Sequence, residues 1–425
     1  MRRRFGGTAR ASRTRQPNEG EMSGSYVAHP VGKLLLVLGC GLGMYFSIGI
    51  VLIHGFSVFI VPIAADTGWD RAHVAAVVAP VALINGLMQP LVGALTDRIG
   101  PRLVLIVSSV AMATGLVGIG FVSEGYVGFV AAVVIASLLG GAQTGVPYTH
   151  VIVGWFTARR GLALGIMLSF VGLGIATVPL ILSTAISAWG WRHAFVAAGI
   201  ASIFVTLPVA LLIVRDPPAR RQTQEVEGHS LGEAVATVSF WLMLGAFMLN
   251  YFAAAAGSIS LPVILSDRGL APADAAIVMS FVGVAFIVTR LGFGALLDRF
   301  PAIPLTSLVF LAPAAGHLLL AGSDSPLPAY VSAILFGLAS GAEGDAMGYL
   351  LSRRFGMKGF GKIFGINYFA FTLGAGAGPA LLNIIADGGA RYVEAFTLFA
   401  ILGMCAPALL MLEWRRSVRR GAAAT

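Results

Sequence analysis

The chain has 425 residues, of which 57% are hydrophobic and 11% charged, and a formal net charge of +9. Soluble domains carry about 25% charged residues, so this composition excludes a water-soluble globular fold. The positive balance does not point to nucleic acid, because the basic residues sit at the ends of apolar runs rather than in one polar face.

The Arg-rich start, residues 1–30, has no short apolar core followed by a small-residue cleavage site, and it reads as a disordered basic tail. Met22 is an alternative start to Met1. Twelve apolar runs follow, at about 34–63, 73–95, 103–122, 127–155, 161–188, 192–214, 239–265, 273–297, 302–322, 328–352, 361–386 and 392–412. Each is long enough for a helix to cross a hydrocarbon core of roughly 30 Å. The polar break begins Arg215-Asp216-Pro217-Pro218; tandem Pro ends a helix, and residues 215–238 read as a solvated linker. The expected units are a six-helix half at 31–214, the linker, a second six-helix half at 239–413, and a basic C-terminal tail at 414–425.

The two halves repeat. Gly93-Ala94-Leu95-Thr96-Asp97-Arg98 returns as Gly294-Ala295-Leu296-Leu297-Asp298-Arg299, displaced by 201 residues. Gly68 and Gly269 keep the same displacement; Gly165 and Gly365, Gly174 and Gly374, and Pro179 and Pro379 keep one of 200. A constant displacement in so apolar a chain is the mark of a transporter built from parallel repeats, with its site at their interface. With the N-terminus inside, 23 basic residues fall on the cytoplasmic side and Arg71, Arg192, Arg268 and Arg391 on the other, with Arg290 left over. That bias places both termini in the cytoplasm of a multi-pass cell-membrane protein. Heavy use of Arg over Lys suggests a GC-rich bacterial gene, and the expected location is a bacterial inner membrane.

The loop Gly93-Ala94-Leu95-Thr96-Asp97-Arg98-Ile99-Gly100-Pro101-Arg102, its degenerate copy, and the six-plus-six arrangement resemble the major facilitator superfamily across about 31–413. The resemblance implies an all-α membrane fold of twelve transmembrane helices in two pseudo-symmetric halves. It implies a gating role for Gly93, Asp97, Arg98, Gly100, Arg102, Asp298 and Arg299. Asp97 near a helix end can pair with Arg98, with Arg102, or with a helix terminus of the other half; a topogenic charge cluster without gating is the alternative.

Within that superfamily the chain resembles the monocarboxylate transporters and their bacterial relatives, which include oxalate–formate exchangers. The phrases are Thr67-Gly68-Trp69-Asp70-Arg71-Ala72, Trp155-Phe156-Thr157-Ala158-Arg159-Arg160-Gly161, Arg290-Leu291-Gly292-Phe293-Gly294 and Phe360-Gly361-Lys362-Ile363-Phe364-Gly365. The Gly-Pro-Gly-Gly run of drug–proton antiporters and the Pro-Glu-Ser-Pro-Arg phrase of sugar porters are absent.

Arg290 lies about seven residues, roughly 10 Å of rise, inside its span. A cation at that depth faces a cavity or a partner, and a planar guanidinium grips a carboxylate with two hydrogen bonds. Its repeat mate is Gln89, so the fold does not require the charge. The resemblance makes Arg290 the carboxylate anchor; a snorkelling or ion-paired arginine is the structural alternative. Glu343 and Asp345 are the acids well inside a span, against Gln143 and Gly145 in the other half, and either can exchange a salt bridge with Arg290 for a proton; a fixed pair balancing the charge of Arg290 is the structural alternative. Residues two apart point about 200° apart on a helix, so one of the two is expected to face the cavity. His54 stands where animal monocarboxylate transporters carry a lysine, and it can titrate or donate. Tyr148, His150, Asn250 and Tyr251 complete the expected substrate-binding set, because the first, fourth, seventh and tenth spans line the cavity in this fold. The eleventh span has no cation, unlike the oxalate carriers, and one fixed positive charge suits one carboxylate.

The expected function is secondary, proton-coupled transport of small monocarboxylates by alternating access. The same fold could instead exchange organic anions or export a metabolite. The expected partners are the substrate, protons and the lipid bilayer, with no nucleic acid, no cofactor, no metal and a monomeric chain. A receptor or membrane enzyme fits less well, and no nucleotide-binding Gly-Lys-Ser/Thr loop is present.

Overall fold

The computed structural model describes residues 30–122, 125–217, 228–269, 272–322, 326–386 and 391–422. The expected N-terminal tail, Arg220 and Arg221 of the linker, and the last three residues lie outside them. The N-terminal helices are α1 Pro30–Tyr45, α2 Ile60–Thr67, α3 Arg71–Ala76, α4 Val78–Ile99, α5 Pro101–Gly120, α6 Tyr126–Gly140, α7 Gly145–Trp155 and α8 Arg160–Pro208. A π-helical stretch Ile50–His54 and a 3-10 stretch Gly55–Phe59 join α1 to α2. After the linker come α9 Leu231–Val235, α10 Val238–Asp267, α11 Pro272–Leu297, α12 Ala302–Val309, α13 Ala312–Gly322, α14 Pro326–Phe355, α15 Phe360–Ala386 and α16 Tyr392–Ala422.

Among the described residues, ten helical segments are long and apolar enough to cross a membrane. Two features account for the difference from the twelve expected runs. Arg160–Ile213 is a single helical segment of 54 residues, about 80 Å if straight, more than twice a hydrocarbon core. Its backbone breaks at Gly190, where φ is 78° and ψ 164°, a conformation that favours glycine. The 30-residue α14 is long enough to cross, but Glu343, Asp345, Arg353 and Arg354 lower its apolarity.

Residues 228–238, at the end of the expected linker, are described and fold against the C-terminal half. Ser230 and Glu233 form a reciprocal capping box at the start of α9. The Ser230 N–H donates to Glu233 Oε2 at 2.6 Å and holds that carboxyl below its usual range. Gly228 pairs with Gly356, and the His229 N–H donates to the Phe355 carbonyl at 2.7 Å, fastening this segment to the turn between α14 and α15. The expected C-terminal tail continues α16 as helix to Ala422.

The halves meet through α4 with α15 and α8 with α11, supplemented by α7 and α8 against α14. Glycines set the closeness. A Cβ on Gly93 would collide with the Gly361 carbonyl, and one on Gly161 with the Gly294 carbonyl. One turn deeper, a Cβ on Gly365 would strike the Gln89 carbonyl, and one on Gly165 the Arg290 carbonyl. The 200-residue displacement maps each crossing onto the other, as parallel repeats related by a two-fold axis require.

Each crossing is tied by an aspartate at a helix start. Asp97 Oδ1 accepts the Gly361 N–H at 2.8 Å and Oδ2 the Lys362 N–H at 3.0 Å. Asp298 accepts the N–H groups of Gly161 and Leu162, each at 3.0 Å. The first N–H groups of a helix have no intrahelical partner and carry partial positive charge, so a carboxylate fits there. Arg98 and Arg299 are exposed and make no side-chain hydrogen bond or ion pair among the described residues. Arg102 instead donates to the carbonyls of Ala210 and Leu211, while its N–H reaches Asp216 beside Gly100. Of the three partners expected for Asp97, the opposing helix terminus is therefore the one used.

Charge-assisted hydrogen bonds contribute about 1.5–3 kcal/mol each. Asp97→Asn is expected to raise the population with a separated basic end about ten-fold or more. Spin labels at Arg98→Cys and Lys358→Cys, in a Cys405→Ser background, report this as a longer second distance. Identical distance distributions in the parent, Asp97→Asn and Asp97→Asn/Asp298→Asn would contradict the role assigned to these bonds.

Candidate functional site

Arg290 sits in α11 where α8 crosses it, and its side chain is 9% exposed. The guanidinium lies across the backbone of Gly344: a Cβ there would fall 3.1 Å from Nη1 and 3.3 Å from Leu168 of the other half. Glycine between two acids is thus what lets α14 accept the arginine. Phe286, one turn earlier on α11, lies under the cation with its ring centroid 4.5 Å from Cζ.

Both flanking acids are fully buried. Asp345 Oδ1 stands 3.6 Å from Arg290 Nη1, an ion pair beyond hydrogen-bond length. Neither oxygen of Asp345 has a hydrogen-bond partner, and neither do Nε and Nη1 of Arg290. Glu343 Oε2 accepts from Asn250 Nδ2 of α10 at 2.7 Å, while Glu343 Oε1 and Asn250 Oδ1 are unpartnered. The two acids thus leave α14 on different sides, as helix geometry requires, yet both interact electrostatically with Arg290, Asp345 the more strongly. Buried polar groups are ordinarily paired, so this concentration of unused donors and acceptors makes the cluster the candidate site.

Aromatic residues border the cluster. Tyr251 stacks on Phe371 at 3.9 Å between centroids, and Tyr368 meets Phe371 at 5.3 Å. Tyr251 and Tyr368 are both close enough to Arg290 to feel its charge. Tyr368 is not among the expected site residues; Asn367-Tyr368-Phe369 lies in a span without a cation and has no charge to single it out.

The structure therefore joins Arg290, Asp345, Glu343, Asn250 and Tyr251. It does not join three others to them. Tyr148 is fully buried inside the N-terminal half and donates to Gln143 Oε1 at 2.7 Å, beside Gly43. His150 lies at the basic end, its Nε2 3.5 Å from Asp97 Oδ1 and its ring 5.8 Å from that of Phe360. The cause is a break in the fourth apolar run at Gly141–Thr144, which starts α7 afresh and rotates its faces. His54 ends the π-helical stretch with an exposed side chain, and no hydrogen bond or ion pair links it to Arg290 among the described residues.

The repeat mates of the cluster are neutral and satisfied. Gln89 donates to the Asn85 carbonyl at 2.6 Å and accepts from Thr144 at 2.9 Å. Gln143 donates to Ser109 at 2.6 Å as well as accepting from Tyr148. The charge is thus an addition to the C-terminal half. Among the described residues, no group of three or more His, Cys, Asp or Glu is arranged to hold a metal ion. A recess of about 500 Å³ near Asp66, Trp191 and Arg192 includes none of the candidate residues.

Residues 35–379 match the profile of the Major Facilitator Superfamily. A Thermoproteus tenax protein described as an uncharacterized 38 kDa protein in the 23S RNA operon is 31% identical over 346 residues, covering 80% of this chain and 84% of its own. Human monocarboxylate transporter 11 is 25% identical over 354 residues, covering 79% and 72%. Among solved structures, the E. coli fucose:proton symporter superposes with a TM-score of 0.70 at 14% identity, covering 89% of this chain and 98% of that one. At that identity the likeness concerns the fold alone. The chain belongs to the Major Facilitator Superfamily and is a multi-pass membrane transporter rather than an enzyme.

Proposed function

We propose that the protein is a proton-coupled transporter of small monocarboxylates that works by alternating access. The observation that carries this reading is the state of Arg290: a buried guanidinium whose Nε and Nη1 have no hydrogen-bond partner and whose nearest acid stands at 3.6 Å. A structural ion pair would close to hydrogen-bond length. A guanidinium left with spare donors is ready for a planar anion, which it binds bidentately. One fixed cation flanked by two acids suits a monoanion: the arriving carboxylate replaces Asp345 at the guanidinium, and Asp345 takes up a proton rather than remain a buried unpaired anion. Tyr251 and Tyr368 lie near Arg290 as candidate donors, and His54 is a further candidate donor from the first span. His150 is better placed to reinforce Asp97 than to meet substrate. The name of the human relative, a monocarboxylate transporter, agrees with this reading.

Twelve crossings follow if the segment Arg160–Ile213 turns back at Gly190 and α14 crosses despite its acids. The distribution of arginine supports cytoplasmic termini, and the use of Arg over Lys supports a bacterial inner membrane. The Asp97 and Asp298 ties then close the cytoplasmic end, and the opposite state requires that they break. The chain acts as a monomer in this reading, because one polypeptide supplies both halves of the site.

Arg290→Lys keeps the charge and loses the fork. Breaking one partner of a buried charge pair costs about 2–5 kcal/mol, so uptake into proteoliposomes is expected to fall about thirty-fold or more, and Arg290→Ala to abolish it. Wild-type uptake by Arg290→Lys would rule out the anchor. Asp345→Asn is expected to lose accumulation driven by an imposed pH gradient while retaining substrate counterflow; accumulation at the wild-type level would place coupling elsewhere.

A further inference from the structure

Glu343 and Asp345 are two residues apart, yet their surroundings differ in kind. Glu343 bonds Asn250, and both residues belong to the C-terminal half. Asp345 lies at the seam: a Cβ on Gly165, from the N-terminal half, would fall 3.5 Å from its Oδ2, and the same glycine abuts the Arg290 carbonyl. Movement of one half against the other therefore alters the setting of Asp345 and Arg290 and leaves the Glu343–Asn250 bond within one body.

Taken as a carboxylate, Glu343 is hard to account for. It is a fully buried anion with no ion pair among the described residues, and the guanidinium of Arg290 pairs at 3.6 Å with Asp345 instead. An uncompensated buried charge costs several kcal/mol. Two acceptors, Glu343 Oε1 and Asn250 Oδ1, are also left empty, at about 1–3 kcal/mol each. One proton removes all three penalties. A carboxylic acid and a primary amide each present one donor and one acceptor in a plane. The amide N–H already donates to Oε2, and an O–H on Oε1 can donate in return to Asn250 Oδ1. The other half offers a precedent: Gln143, the repeat mate of Glu343, is a neutral amide that ties its own half together through Ser109 and Tyr148.

We propose that Glu343 stays protonated throughout the transport cycle as a positioning residue that clasps α14 to α10 through Asn250, leaving Asp345 as the acid that exchanges a proton. The groups facing Glu343 are Asn250 from α10, Arg290 from α11 and, beside them, Tyr251. The inference rests on the proton-coupled reading above and divides its two acids.

Glu343→Gln replaces the acid by an amide that can make the same reciprocal pair. It is expected to keep pH-gradient-driven accumulation, and the pH profile of uptake, within about two-fold of wild type. Glu343→Leu leaves Asn250 unpaired in the interior and is expected to lose on the order of five-fold or more. Infrared absorption spectra of wild type and Asp345→Asn should each contain a protonated-carboxyl band that persists between about pH 5 and 8 and vanishes in Glu343→Gln or Glu343→Leu. Loss of driven accumulation with intact counterflow in Glu343→Gln, or a Glu343 band that titrates in that range, would overturn the proposal while leaving proton coupling in place. If wild type itself ignores the pH gradient, the coupled reading fails, and the infrared band still decides whether Glu343 holds its proton.

Discussion

A guanidinium inside an apolar helical bundle constrains everything near it. It cannot lose its charge at ordinary pH, and it cannot be left alone in a medium that solvates charge poorly. The surroundings of Arg290 answer that constraint piece by piece. Gly344 gives it a bare stretch of backbone to lie across, Phe286 offers an aromatic face, and Asp345 supplies the opposing charge at a distance short of full engagement. Because Asp345 does not close the pair, the arginine keeps donors in reserve. That reserve is what the proposed binding site rests on.

The position of Arg290 connects this chemistry to movement. Its own carbonyl is a contact point of the crossing between α8 and α11, against Gly165. The equivalent crossing of α4 and α15 places Gln89 against Gly365. Architecture is thus duplicated while chemistry is not: two glycine-lined seams and two aspartates at helix starts are shared by the halves, but the cation and both acids belong to one. A carrier built this way can rock on two equivalent seams and still hold its substrate from one side. The ties at Asp97 and Asp298 are made to backbone N–H groups, so they bind the geometry of a helix start and not a particular side chain.

Much of this was legible in the residues. The constant displacement between Gly93 and Gly294 pointed to paired halves, and the isolated arginine in an apolar run pointed to the candidate site. What the pattern did not carry was phase. Tyr148 and His150 lie in an apolar run that reads as one helix, but the break at Gly141–Thr144 turns α7 so that one side chain faces inward to Gln143 and the other down to Asp97. The π and 3-10 turns around His54 likewise upset the period that a face assignment relies on. The short helix α9 was signalled by Ser230 and Glu233 and masked by the polar composition around it. The partnership of Gly93 with Gly361 is invisible to a single sequence, since it joins residues of different repeats that share no local pattern.

The central claim is that Arg290 reads a carboxylate. The most direct test is equilibrium binding to the purified wild-type protein of a small monocarboxylate and of its uncharged amide, which share size and shape. The account predicts that the carboxylate binds at least about ten-fold more tightly, a difference of roughly 1.4 kcal/mol, because only the anion engages the unfilled guanidinium donors. Equal affinity for the two would contradict it and leave Arg290 as an ion-pair residue of the fold.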